Sequence, residues 1–110
     1  MKSTHEKPPP PPSILTEPEF FLLPLGTPLP EHIVETGLIA LLQIDDGSER
    51  VVEVAMTDDF PRELALKNKV RVTHFAIRPV AYSRDYRIRL QQIQVVMLEL
   101  ARLRKKYLAR

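Results

Sequence analysis

Tyr86-Arg87-Ile88-Arg89-Leu90-Gln91-Gln92-Ile93-Gln94-Val95-Val96 opens with apolar side chains alternating against cations. The alternation slips by one place at Gln91-Gln92 and resumes at Ile93 and Val95. Alternation is the period of a strand covered on one face, and a one-place slip is how a β-bulge shows in sequence. Residues 86–96 therefore read as a strand with Ile88, Leu90, Ile93 and Val95 inward. Arg87, Arg89 and one or both of the glutamines face out. From about Val96 the period becomes helical: Val96, Leu100, Leu103 and Tyr107 follow i, i+4, i+7, i+11, with Met97 and Ala101 beside them. Arg102, Lys105 and Lys106 lie off that stripe, and Arg104 and Arg110 sit where cations suit the end of a helix dipole. Residues 97–110 are thus expected to form a basic amphipathic helix.

Working back along the chain, residues 69–80 read as another strand, with Val70 and Val72 alternating against Arg71 and Thr73 and with Pro79 ending it or marking a bulge. Ala81 to Asp85 is a loop. Before it, Asp58 to Leu66 carries the start of a short helix: Asp59 as cap, Pro61 in the first turn, Glu63 near the positive dipole end. That reading makes Asp58 and Asp59 caps rather than a catalytic acid pair. Residues 33–44 are nearly all apolar after Gly37, as in a strand covered on both faces, and Gly37 suggests a bend or bulge. Asp45-Asp46-Gly47-Ser48 is a turn, and Arg50 to Met56 alternates, placing Val52, Val54 and Met56 on one side. The pair predicts a hairpin.

Residues 1–30 read as a flexible proline-rich arm. Pro8–Pro12 suits polyproline II, and Pro18, Pro24, Pro28 and Pro30 disfavour a helix or an interior strand. Residues 1 to about 17 are expected to be mobile. Phe20-Phe21-Leu22-Leu23 is too apolar for a plain linker, so it either tucks against the domain or docks on a partner.

The chain has 110 residues, no cysteine and a formal net charge of +2. Its length fits one domain. The missing cysteine excludes disulfides, thiolate metal sites and cysteine nucleophiles, and favours the cytoplasm for so small a domain. No apolar run is long enough to span a membrane, and the charged N-terminus leads into prolines rather than an apolar signal core. The charge is uneven. Residues 31–63 hold nine acids against Arg50 and Arg62, whereas residues 64–98 hold seven cations against Asp85. Such asymmetry fits an anionic partner or oppositely charged faces that meet in self-association, unless the halves interleave in space and cancel.

Chemistry-bearing motifs are few. The three glycines lie far apart, so no phosphate loop forms, and His5, His32 and His74 have no metal-ligand spacing. The expectation is no catalytic residue, no metal and no cofactor. The positive signal is Lys67 to Arg89, which combines seven cations with Phe75, Tyr82 and Tyr86. Rings that stack bases beside cations that neutralise phosphates are what single-stranded nucleic acid needs. The plainer reading makes Phe75 and Tyr86 core residues and lets the cations guard a sheet edge.

The order hairpin, short helix, strand, loop, strand resembles the later part of an OB-fold. The resemblance rests on Val52 and Val54, then Phe60 to Leu64, then Val70 and Val72, then Tyr86, Ile88, Leu90, Ile93 and Val95, and covers roughly residues 33–96. Thr73-His74 stands where such domains often have glycine, and the first strand pair is short. The resemblance implies a mainly β protein: a small five-stranded OB-like barrel over 31–96 with one short internal helix and a C-terminal α-helix, preceded by the disordered arm. It further implies a non-enzymatic module for single-stranded DNA or RNA, whose groove is lined by Arg71, Phe75, Arg78, Arg84, Tyr86, Arg87 and Arg89. Alternating positions would set Arg71, Arg87 and Arg89 on one sheet face. The competing expectation is a protein-interaction subunit that docks through the C-terminal helix or the Phe20–Leu23 segment, onto a larger assembly or a second copy.

Overall fold

The computed structural model describes residues 12–66 and 71–108. Four strands, β1 (Phe21–Pro24), β2 (Gly37–Asp45), β3 (Ser48–Thr57) and β4 (His74–Pro79), form one antiparallel sheet in the order β1-β4-β2-β3. A short helix α1 (Phe60–Leu66) follows β3, and a long helix α2 (Tyr86–Leu108) follows β4. The sheet is open, and a five-stranded barrel is not formed by these strands.

The hairpin forms as its residues dictate. Asp46 and Gly47 both take positive φ (51° and 77°), and Asp45 pairs with Ser48, which makes a two-residue turn of the type whose twist matches the strands. Gly37 opens β2 rather than bending it. Its φ is +143°, and a Cβ there would collide with the Arg78 carbonyl oxygen, so only glycine lets β4 approach. The bulge falls instead on β3, where Leu41 pairs with Glu53 but Leu42 pairs with Val51. The extra residue is Val52, and it reverses the expected sides: Val51 and Val54 share one core cluster while Val52 joins the other.

β2 is buried continuously from Gly37 to Leu42 because both sheet faces are covered. Leu38, Ala40 and Leu42 meet Val96 and Leu103 of α2; Ile39 and Leu41 meet Phe60, Phe75 and Ile77. Complete burial of each such aliphatic side chain contributes about 1.5–3 kcal/mol. Helix α1 starts where its cap lies, with the Arg62 amide donating to Asp59 Oδ1 at 3.0 Å.

Three expectations need correction. Residues 86–96 are helical: the Asp85 carboxylate accepts from the amides of Arg87 and Ile88, so α2 begins ten residues before the expected period change and a boundary at 96/97 would cut it. The segment expected as an arm joins the fold from Ser13 on. A 3-10 turn at Ile14–Thr16 buries Ile14 completely, and β1 takes the exposed edge beside β4, where prolines are tolerated. The Phe20–Leu23 stretch therefore tucks. Lastly, the third strand is confined to His74–Pro79, although the Thr73 amide still reaches the Leu42 carbonyl. Pro8 to Pro11, Lys67 and Lys69 fall outside the described residues.

Candidate interaction surface

The expected site residues do not share one face. Phe75 is fully buried among β2 and α1 side chains, a core residue that no base could stack on. Arg78 is spent on two ion pairs, Nε to Glu19 Oε1 at 3.3 Å and Nη1 to Glu99 Oε1 at 3.1 Å. Arg71 lies beside Asp45 and Ile44, at the opposite end of the sheet from the Pro79 end where α2 begins. Six residues of strand separate the two ends, about 20 Å. Arg87 and Arg89 are two residues apart on a helix, hence turned about 200° from each other, and no sheet face unites them with Arg71.

Four of the seven do cluster: Arg84, Tyr86, Arg87 and Arg89 at the start of α2. Arg89 sits 5.7 Å above the Tyr86 ring and donates to the Ser83 carbonyl at 3.5 Å. Tyr86 is 64% exposed. Among the described residues, the side chains of Arg71, Arg84, Arg87 and Lys105 have no ion pair or hydrogen bond.

Sequence reasoning missed the charge network at the other end of α2. Glu17, buried by the helix, takes Arg102 Nη2 at 2.7 Å, Lys106 Nζ at 2.9 Å and the Tyr107 hydroxyl at 2.6 Å. Glu99 joins it by pairing with both Arg102 and Arg78. Burial pushes the Glu17 carboxyl up, but the hydrogen bonds from Arg102, Tyr107 and Lys106 outweigh it and hold the group at about 2. Burial, reinforced by the Glu17 carboxylate, raises the Tyr107 hydroxyl to about 12. Arg104 Nε donates to the Val54 carbonyl at 2.9 Å, covering part of the β3 edge. These contacts lock residues 13–19 to α2. The partners are 85 to 90 positions apart, so only an excess of acids in the arm hinted at them.

The rest of α2 is unusual in what it leaves uncovered. Only Val96 and Leu103 are buried on it. Among the described residues, six of the eleven exposed large apolar side chains are on this helix: Tyr86, Ile88, Leu90, Val95, Met97 and Leu98, the last at 72% exposure. Ile88 and Val95 form one wall of an open groove of about 440 Å³, with Pro79, Val80 and Ala81 opposite and Leu38 and Val96 at its floor. Among the described residues no three His, Asp or Glu side chains are grouped to hold a metal, and no helix is long and apolar enough to cross a membrane. Compared with protein families, with curated proteins and with solved structures, the chain has no match in any of the three.

Proposed function

We propose that the chain is a non-enzymatic protein-interaction module that docks through the outer face of α2. The observation that carries this is the helix itself, which exposes six large apolar side chains and buries two. Apolar residues scattered singly on a surface are ordinary, but Ile88, Val95 and Leu98, at i, i+7 and i+10, fall within about 80° of one another and make one continuous stripe, the mark of an association face. The test is a photo-reactive phenylalanine analogue placed at Leu98 in the full chain and irradiated in cells, with the same group at Glu63 on α1 as control. A protein adduct at Leu98 and none at Glu63 is the expected result. No protein adduct at Leu98 would remove the reading.

A second reading draws on a separate observation. Arg84 and Arg87 are unpaired beside an exposed Tyr86 that Arg89 overlies. Cations with an accessible ring suit single-stranded DNA or RNA, the ligand class that the OB-fold resemblance implies. On this reading the binding element is the first turn of α2 and not the sheet, whose two faces each carry a packed apolar cluster. A labelled single strand must then bind less tightly as salt rises, because phosphate contacts release counterions. Binding insensitive to salt, or no binding, removes it.

A further inference from the structure

The groove beside α2 has a cause in the geometry of the sheet. Four strands about 4.8 Å apart present a face that one helix, about 10 Å across, covers only in part. α2 packs chiefly on β3 and little on β2, so the β4 side of that face is left under the groove. Ile14 covers the face nearer β3's start, where its amide and Ser13 are held by Glu49, and does not line the groove. The hollow is the place of a second helix that the described chain does not supply.

Charge identifies the occupant. Ile88, Val95 and Leu98 follow i, i+7, i+10 along α2, a seam spaced for a partner helix. Unpaired Arg84 and Arg87 precede this seam, and unpaired Lys105 follows Leu98 by two turns on the same stripe. The carboxylates near the groove, Glu19 and Glu99, are both taken by Arg78 and Arg102. The apolar seam is thus flanked by an excess of positive charge, which the Asp85 carboxylate between Arg84 and Arg87 offsets only in part. A second copy of α2 fits this poorly. Side by side in parallel, Arg87 would face Arg87 and Lys105 would face Lys105. Antiparallel about the middle of the seam, Arg84 would face Arg102, and Arg87 would face a Glu99 already held by two guanidinium groups.

We propose that the groove between α2 and β4 receives an acidic amphipathic helix from a partner protein, its apolar ridge entering over Leu38 and Val96 and its carboxylates meeting Arg84, Arg87 and Lys105. This rests on the protein-docking reading and specifies the partner's chemistry. It is tested with 18-residue peptides, displayed on phage and randomised throughout, selected on the full chain and depleted on its Val95→Glu variant. Val95 is 60% exposed, so the variant keeps the fold. The selected sequences are expected to carry apolar residues at i, i+3 or i+4, and i+7, with Asp and Glu outnumbering Lys and Arg. Synthesised winners should lose about tenfold or more in affinity on Val95→Glu and about threefold on Arg84→Ala with Arg87→Ala, the second loss vanishing at high salt. Winners that are basic or uncharged, the absence of winners, or affinities that neither variant changes would overturn the proposal. So would a wild-type dimer that Val95→Glu converts to a monomer, which would give the groove to a second copy. A single-stranded oligonucleotide that displaces every winner at equal concentration would overturn it in favour of nucleic acid. Basic winners together with a protein adduct at Leu98 would sink only the acidic chemistry; a missing protein adduct would sink the docking reading beneath it.

Discussion

The two halves of α2 differ in how firmly their own chain holds them, although Met97 and Leu98 are exposed in the second half as well. From Val96 to Leu108 the helix buries Val96 and Leu103, and Glu17 and Glu99 occupy its cations Arg102 and Lys106. From Tyr86 to Val95 no residue is fully buried, four large apolar side chains are exposed, and the Arg87 guanidinium has no partner. The first region is held by its own chain. The second has the composition of an interface and lacks the other side of it. A helix needs tertiary contacts along one face to persist in water, and the N-terminal half gets few of them here. Its ends are secured instead by the Asp85 cap and by Gln92, which accepts from the Ser83 amide at 2.7 Å and donates to the Ala81 carbonyl at 3.2 Å.

The contrast can be broken most forcefully from the C-terminal half. Leu103→Ala removes a fully buried side chain and should cost about 3 kcal/mol in equilibrium unfolding. Val95→Ala, eight residues earlier on an exposed position, should stay within about 0.5 kcal/mol. Equal losses at the two sites would erase the distinction. Glu17→Gln comes next, at about 2–3 kcal/mol, because it leaves Arg102 and Lys106 facing a neutral amide in a buried place.

The same carboxylate sharpens the comparison through pH. Its folded value of about 2 lies below the ordinary 4.5, so its contribution is complete above 4.5 and is lost as pH falls toward 2. Wild type should therefore lose its stability advantage over Glu17→Gln across that interval, measured by denaturant unfolding at several pH values. A difference that stays constant from pH 6 to pH 2 would contradict the network. The smallest effect belongs to the other end of the helix. Arg84→Ala with Arg87→Ala should change stability by less than about 0.5 kcal/mol, since neither side chain has a partner to lose.

How far the fold was legible depends on whether a signal was local. Asp46-Gly47 and the Asp59 cap each admit one solution within a few residues, and both are observed where the sequence places them. Residues 86–96 are helical where their alternation predicts a strand, and the reason is physical. Sequence periodicity reports a helix when apolar residues gather on its buried face, but here Ile88, Leu90 and Val95 are exposed and the inward positions include Arg89 and Gln92. Their spacing imitates a strand because Ile88 and Leu90 lie on opposite flanks of the helix and neither is on its buried face. The remaining signal was the cap, Asp85 with Ser83 two residues before it. In the candidate site, the cluster of cations and Tyr86 was visible, but its division was not. Only the fold brings Glu19 to Arg78, 59 positions away, and so removes that arginine from the free set.

The central claim is that the outer face of α2 belongs to a partner and not to this chain's core. The double variant Val95→Glu with Leu98→Glu tests it directly, by denaturant unfolding of the isolated full chain beside photo-cross-linking from position 91, which lines the same groove. A face meant for a partner should accept both carboxylates with less than about 0.5 kcal/mol of change, because both side chains are exposed and glutamate is a good helix former, and the cross-linked protein adduct should disappear. A loss of about 2 kcal/mol or more, or an adduct that persists undiminished, would contradict the account.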